Sequence, residues 1–125
     1  MIGFSQGGGG SLAHATSMSD LVAVVVAYYP ATAWTQNLPG LVKRFKVPVL
    51  VLDGEKDTYN NCCLIEHMRT MEQAAKDTGA AFELVVYPQA EHNWNLTGRN
   101  FRGDDAADAW RRARERLNQY LPLQK

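Results

Sequence analysis

A three-layer α/β fold, with helices on both faces of a parallel sheet, is what this 125-residue sequence predicts. Three observations lead there. The runs Leu21–Tyr29 and Val47–Leu52 are continuously apolar rather than alternating, the pattern of strands buried on both faces of a parallel sheet. Between the second run and Phe82–Tyr87, the residues Leu64, Ile65, Met68, Met71 and Ala75 recur at helical intervals. Strands that alternate with helices imply right-handed crossovers, which lay the helices against the sheet.

Each element has a local reason. A first short strand ends in Gly3-Phe4-Ser5-Gln6-Gly7, and the glycine-rich stretch Gly7–Thr16 suits a helix that must pass close to that strand. Pro30 closes the Leu21–Tyr29 strand, residues 31–40 read as a loop, and Leu41–Lys46 as a short amphipathic turn. Pro48 stands near the start of the next strand, where a missing amide donor is tolerated. A helix is predicted from about Asn61 to Thr78, with Gly79 as its stop. Pro88 ends Phe82–Tyr87, a polar loop runs from Gln89 to about Gly103, and Asp104-Asp105 open a last helix that reaches Tyr120. Arg111, Arg112, Arg114 and Arg116 of that helix read as a solvated face.

Composition narrows the function. Lys plus Arg and Asp plus Glu both number 13, so no net charge draws the chain to nucleic acid or to an anionic membrane, and neither is expected as a partner. No apolar run reaches the roughly 18 residues of a membrane helix, and the start shows no secretion signal, which points to the cytoplasm. Cys62 and Cys63 are adjacent in sequence and are read as thiols, because neighbouring residues seldom meet disulfide geometry. With no second pair and no histidine cluster beside them, they do not make a zinc site.

The chemistry rests on three positions. Gly3-Phe4-Ser5-Gln6-Gly7 matches the Gly-x-Ser-x-Gly turn that presents a nucleophilic serine between a strand and a helix. A serine hydroxyl needs a base, and the base needs an orienting group. Asp57 follows one buried strand and His92 follows the next, so all three residues reach the rim where the C-terminal strand ends of a parallel sheet gather. Asp53 and Glu55 are alternative acids in the same loop. The order Ser, Asp, His is that of the α/β-hydrolase triad.

With these motifs in place, the chain resembles the dienelactone hydrolase family. The resemblance lies in Gly3–Gly8, in Val47–Asp57, in Val86-Tyr87-Pro88 with Glu91-His92, and in the alanine-rich Ala106–Arg112, and it extends over essentially the whole chain. It implies a partial α/β-hydrolase fold, residues 1–125 being the C-terminal half of a single domain that begins at the nucleophile turn, with the N-terminal strands missing. It also implies hydrolysis of a small-molecule ester, lactone or thioester by acyl transfer, without metal or organic cofactor. Serine at position 5, where several members carry cysteine, points to an esterase-like subset. The Gln6 amide would be one oxyanion donor, while the second normally comes from a segment this half does not contain.

The remaining side chains are weighed beside these. Trp34, Tyr59 and Trp94 are candidates for lining a substrate pocket, although aromatic residues are as readily core. His14 and His67 fall inside helices and read as structural, and Asn95-Leu96-Thr97 reads as plain loop despite its glycosylation pattern. A second function class competes: a catalytically silent half-domain that acts by association, forming a homodimer through the exposed edge of its first strand or pairing with another chain.

Overall fold

The computed structural model describes residues 1–122. Four parallel strands, β1 (Ile2–Phe4), β2 (Val25–Tyr28), β3 (Val49–Gly54) and β4 (Phe82–Tyr87), lie side by side in chain order. Four helices connect or follow them: α1 (Gln6–His14), α2 (Leu38–Lys43), α3 (Ile65–Thr78) and α4 (Gly103–Tyr120).

Successive strand residues point to opposite faces, and that alternation sorts the core into two layers. Val25, Ala27, Val49 and Val51 pack with Leu12 of α1, Leu41 and Val42 of α2, and Met68 and Met71 of α3. On the other face, Val26, Tyr28, Leu50 and Leu52 pack with Tyr87, Trp94 and the buried Ala109 and Ala113 of α4. The predicted three layers are therefore present, with α1, α2 and α3 on one side and α4 on the other.

Several boundaries differ from the sequence reading, each for a physical reason. The apolar run that starts at Leu21 becomes strand only from Val25. Before that point the Leu21 and Val22 amides are spent on a turn to the Met18 carbonyl, at 3.0 and 2.8 Å, and pairing with β3 begins at Val25. Helix α2 starts at Leu38, earlier than expected, because the Asn37 side chain accepts from the Gly40 amide at 3.0 Å and Pro39 fits the first turn. Helix α3 starts later, at Ile65, because Asn60 and Asn61 take left-handed backbone (φ 49° and 52°) in a single 3₁₀ turn. Asparagine is among the side chains that tolerate this region. Gly79, at φ 73°, ends α3 as expected.

The arginines of α4 do more than meet solvent. Arg116 pairs with Glu83 of β4, and Asp108 accepts at 2.8 Å from both Arg112 and the Tyr87 hydroxyl. Arg112 and Arg111 hold the Asp108 carboxyl down at about 2. These contacts fasten α4 across the strand that leads to His92.

Two glycines allow the close approaches that shape the rim. A Cβ on Gly3 would overlap the Gly7 carbonyl and the Ser11 hydroxyl, so only glycine lets α1 turn back over β1. A Cβ on Gly54 would strike the Ala90 carbonyl, so glycine brings the end of β3 against the loop that follows β4. At the opposite edge β1 pairs with β2 alone, and Ile2 and Phe4 are 37% and 40% exposed.

Candidate active site

Ser5 joins β1 directly to α1 at φ 54°, ψ −116°, a backbone region that costs a non-glycine residue about 1–3 kcal/mol. Three hydrogen bonds hold it there. Its amide donates to the Tyr28 carbonyl at 3.0 Å, and its carbonyl accepts from Gly9 at 3.0 Å and Ala31 at 2.8 Å. The turn thrusts the hydroxyl outward and leaves the Gln6 amide in the first turn of α1, where amides lack an intrahelical acceptor.

Asp57 and His92 come from the two strand ends beyond β2. The Glu55 and Lys56 amides continue the sheet past β3 by donating to the Tyr87 and Ala90 carbonyls, each at 3.0 Å. This pins the acid loop to the histidine loop. Asn93, at φ 60°, bends the chain just after His92, and the Asn100 side-chain amide donates to the His92 carbonyl at 2.9 Å.

The three side chains meet. Ser5 Oγ lies 3.0 Å from His92 Nε2, and His92 Nδ1 lies 2.7 Å from Asp57 Oδ2. The Tyr59 amide donates to Asp57 Oδ1 at 3.1 Å, so both carboxylate oxygens have partners. His92 and Asp57 are buried while Ser5 is half-buried, which leaves the hydroxyl as the approachable end of the chain of bonds. With Nδ1–H facing the carboxylate, Nε2 carries the lone pair that accepts from Ser5.

The other two acids of the loop are placed elsewhere. Glu55 forms a surface pair with Arg69 at 2.8 Å. Asp53 points into the core at the end of β3, and neither of its oxygens has a hydrogen-bond partner among the described residues. Burial, with the nearby Asp57 charge adding to it, raises its pKa well above the ordinary 3.8. The folded protein therefore holds a proton that the unfolded chain releases, so this residue's contribution to stability falls as pH rises from about 4 toward the raised pKa. Asp53→Asn is expected to flatten that slope and to stabilise the protein at pH 8 by about 1–3 kcal/mol relative to the parent, with little effect at pH 4. Urea denaturation at both pH values measures it; parallel pH profiles would refute it.

Among the aromatic candidates, Tyr59 stacks on the His92 ring, centroids 4.7 Å apart, and is more than half exposed. Trp34 is half-exposed and donates its indole N–H to the Ala31 carbonyl at 2.6 Å. It forms one wall of an open cleft of about 400 Å³ that Gln6, Gly9 and Ala31 also line. Trp94 departs from the expectation. It is fully buried between Tyr28, Tyr29 and Tyr87, with no surface to offer a substrate, because its indole fills the core under α4.

Two contributors escaped sequence reading. Tyr29, the last residue of an apolar run, leaves the strand at φ 33° and packs its ring 4.8 Å from that of His92. Its hydroxyl donates to Asn95 Oδ1 at 2.7 Å, and burial, Tyr28 and the Asp57 charge keep it neutral by pushing its pKa upward. The other is the cysteine pair. Cys62 and Cys63 are joined by a disulfide, contrary to the thiols expected. Neighbouring residues seldom meet disulfide geometry, and an extended backbone points their side chains apart, but Cys62 has helical angles (φ −76°, ψ −34°) after the two left-handed asparagines.

A strained serine between strand and helix, with a histidine and an aspartate delivered by later strand ends of one parallel sheet, is the arrangement of the α/β-hydrolases. Residues 1–121 match the model of the dienelactone hydrolase family, and the chain belongs to that family. It is 32% identical over 124 residues to a provisionally named carboxymethylenebutenolidase of Escherichia coli (strain K12), covering 94% of this chain and 45% of that protein. A protein of the same provisional name from Yersinia pestis is 38% identical over 74 residues, 58% of this chain and 27% of the relative. The crystal structure of a provisionally named dienelactone hydrolase from Klebsiella pneumoniae superposes with a TM-score of 0.82 at 28% identity, covering 95% of this chain and 51% of that one. The chain thus spans about half the length, or less, of these relatives.

Proposed function

We propose that this chain carries the Ser-His-Asp triad of a hydrolase that cleaves a small-molecule carboxylic ester, lactone or thioester through an acyl-enzyme. The observation that carries the reading is the continuous relay from Ser5 Oγ through His92 to Asp57, at 3.0 and 2.7 Å. In it, Ser5 Oγ attacks the substrate carbonyl as His92 Nε2 takes its proton, and the Gln6 amide, at the positive end of α1, donates to the oxyanion. His92 then returns the proton to the leaving group, and water, activated the same way, releases the acid and restores Ser5. Asp57 keeps the imidazole in the productive tautomer. No step calls for a metal or an organic cofactor.

Membership of the family, and the carboxymethylenebutenolidase name of two relatives, favour a lactone or ester as the substrate. The cleft beside Gln6, walled by Trp34, would take the acyl group, and Tyr59 would border the leaving group. A cytoplasmic location accompanies this reading. A fluorophosphonate ester tests the nucleophile directly: mass spectrometry is expected to find one adduct, on the peptide containing Ser5. An unlabelled chain, or an adduct spread over other serines, would defeat the proposal.

One observation favours a second reading, association. The free edge of β1 carries the exposed Ile2 and Phe4, unpaired strand surface of the kind that recruits another strand. A homodimer through this edge predicts twice the monomer mass in light scattering, and a Phe4→Lys variant shifted to the monomer. A folded, monomeric parent chain excludes it.

A further inference from the structure

The Cys62–Cys63 pair sits against the proposed relay. A sulfur from each cysteine and a ring nitrogen of His92 lie within 4.8 Å of one another. Cys63 and His92 are buried and Cys62 is half-buried, so solvent reaches the group from one side. The placement is built by neighbouring backbone: the Cys62 carbonyl accepts from the Thr32 amide at 2.8 Å, and its amide donates to the Tyr59 carbonyl at 3.0 Å, in the residue that stacks on His92. Nothing in the hydrolytic mechanism uses either sulfur.

We infer that reduction turns this cluster into a site for a soft divalent cation, held by the Cys62 and Cys63 thiolates and the His92 imidazole. A dithiol reductant supplies two electrons and two protons to the sulfur–sulfur bond and is itself oxidised to a disulfide, leaving two thiols. The cation then displaces their two protons and takes the imidazole as a third donor. Bonds of about 2.0–2.3 Å to imidazole and thiolate require donors no more than roughly 4.6 Å apart, so once the sulfur–sulfur bond is broken the two sulfurs part by about 1.5–2 Å while staying within reach of His92. Adjacent thiolates also suit soft ions rather than Mg²⁺ or Ca²⁺. In a reducing compartment such as the cytoplasm the dithiol would be the resting form. An ion bound there draws a nitrogen of His92 away from Ser5 or Asp57, so occupation and hydrolysis exclude each other.

Cadmium alone is a suitable probe, because Cys62 and Cys63 are the only cysteines in the sequence and any thiolate-to-cadmium absorption must come from them. The chain is reduced with a phosphine, freed of it under argon and titrated with Cd²⁺. One equivalent with a thiolate band is expected for the reduced protein, and none for the oxidised protein or for a Cys62→Ser/Cys63→Ser double variant. His92→Ala is expected to weaken binding at least tenfold, since even outer-shell partners of metal ligands are worth about 10–100-fold, while His14→Ala leaves it unchanged. Failure of the reduced protein to bind, equal binding by the double variant, or full affinity in His92→Ala would each overturn the inference. Loss of ester hydrolysis on adding one equivalent of Cd²⁺ to the reduced protein alone is a further expected result. That arm rests on the proposed triad, whereas the binding arms are read equally well in a chain that hydrolyses nothing.

Discussion

Ser5→Ala is expected to lower p-nitrophenyl acetate hydrolysis by at least about 10⁴-fold, with the change almost wholly in kcat. Alanine removes the atom that would form the acyl-enzyme in the proposed mechanism, and what survives in serine hydrolases that lose their nucleophile is the catalysis that oxyanion donors and substrate binding provide alone. The substitution tests chemistry rather than folding. The backbone bonds that hold position 5, to Tyr28, Gly9 and Ala31, use main-chain atoms that alanine retains. Circular dichroism and urea midpoint should therefore match the parent. Equal rates in parent and variant would show that any esterase activity arises elsewhere, and the proposed nucleophile would fall.

Asp57→Asn is expected to cost about 10⁴-fold in kcat, the size seen for the same exchange in a well-studied triad. The surroundings of Asp57 explain why an isosteric change is expected to be so damaging here. Its Oδ1 accepts from the Tyr59 amide and its Oδ2 from His92 Nδ1. An asparagine must place its one oxygen toward the fixed Tyr59 donor, which turns its NH₂ toward His92. The imidazole then presents its lone pair at Nδ1 and its proton at Nε2, facing Ser5, where it can no longer accept the hydroxyl proton. A loss of only a few-fold would assign the orienting role to another acid, and Asp53, buried nearby, is the alternative to examine.

The comparison of these two aspartates shows where sequence reading stops. Asp53, Glu55 and Asp57 lie in one five-residue segment, and nothing in their spacing says which one meets His92. That decision is made by where β3 ends. Gly54 lies against Ala90, the Glu55 and Lys56 amides continue pairing with the histidine loop, and only then does the chain turn, carrying Asp57 to the imidazole and leaving Asp53 in the core. Trp94 belongs to the same category. Two residues from His92 in a polar loop, it reads as pocket wall or core with equal ease, and the space under α4 makes it core.

Legible in the residues alone were the α/β alternation, the buried parallel strands, the turn at Ser5 and the order of the three candidate residues, all because they depend on local pattern. Apolar runs, proline and glycine stops and helical periodicity act over a few residues and need no knowledge of distant partners. The tertiary structure decided the pairings across the rim: Ser5 with His92, separated by 87 positions, His92 with Asp57, and the cysteine pair beside them. Those contacts follow from how the parallel strands stack and where each loop leaves the sheet, a property of the assembled core that no single segment encodes.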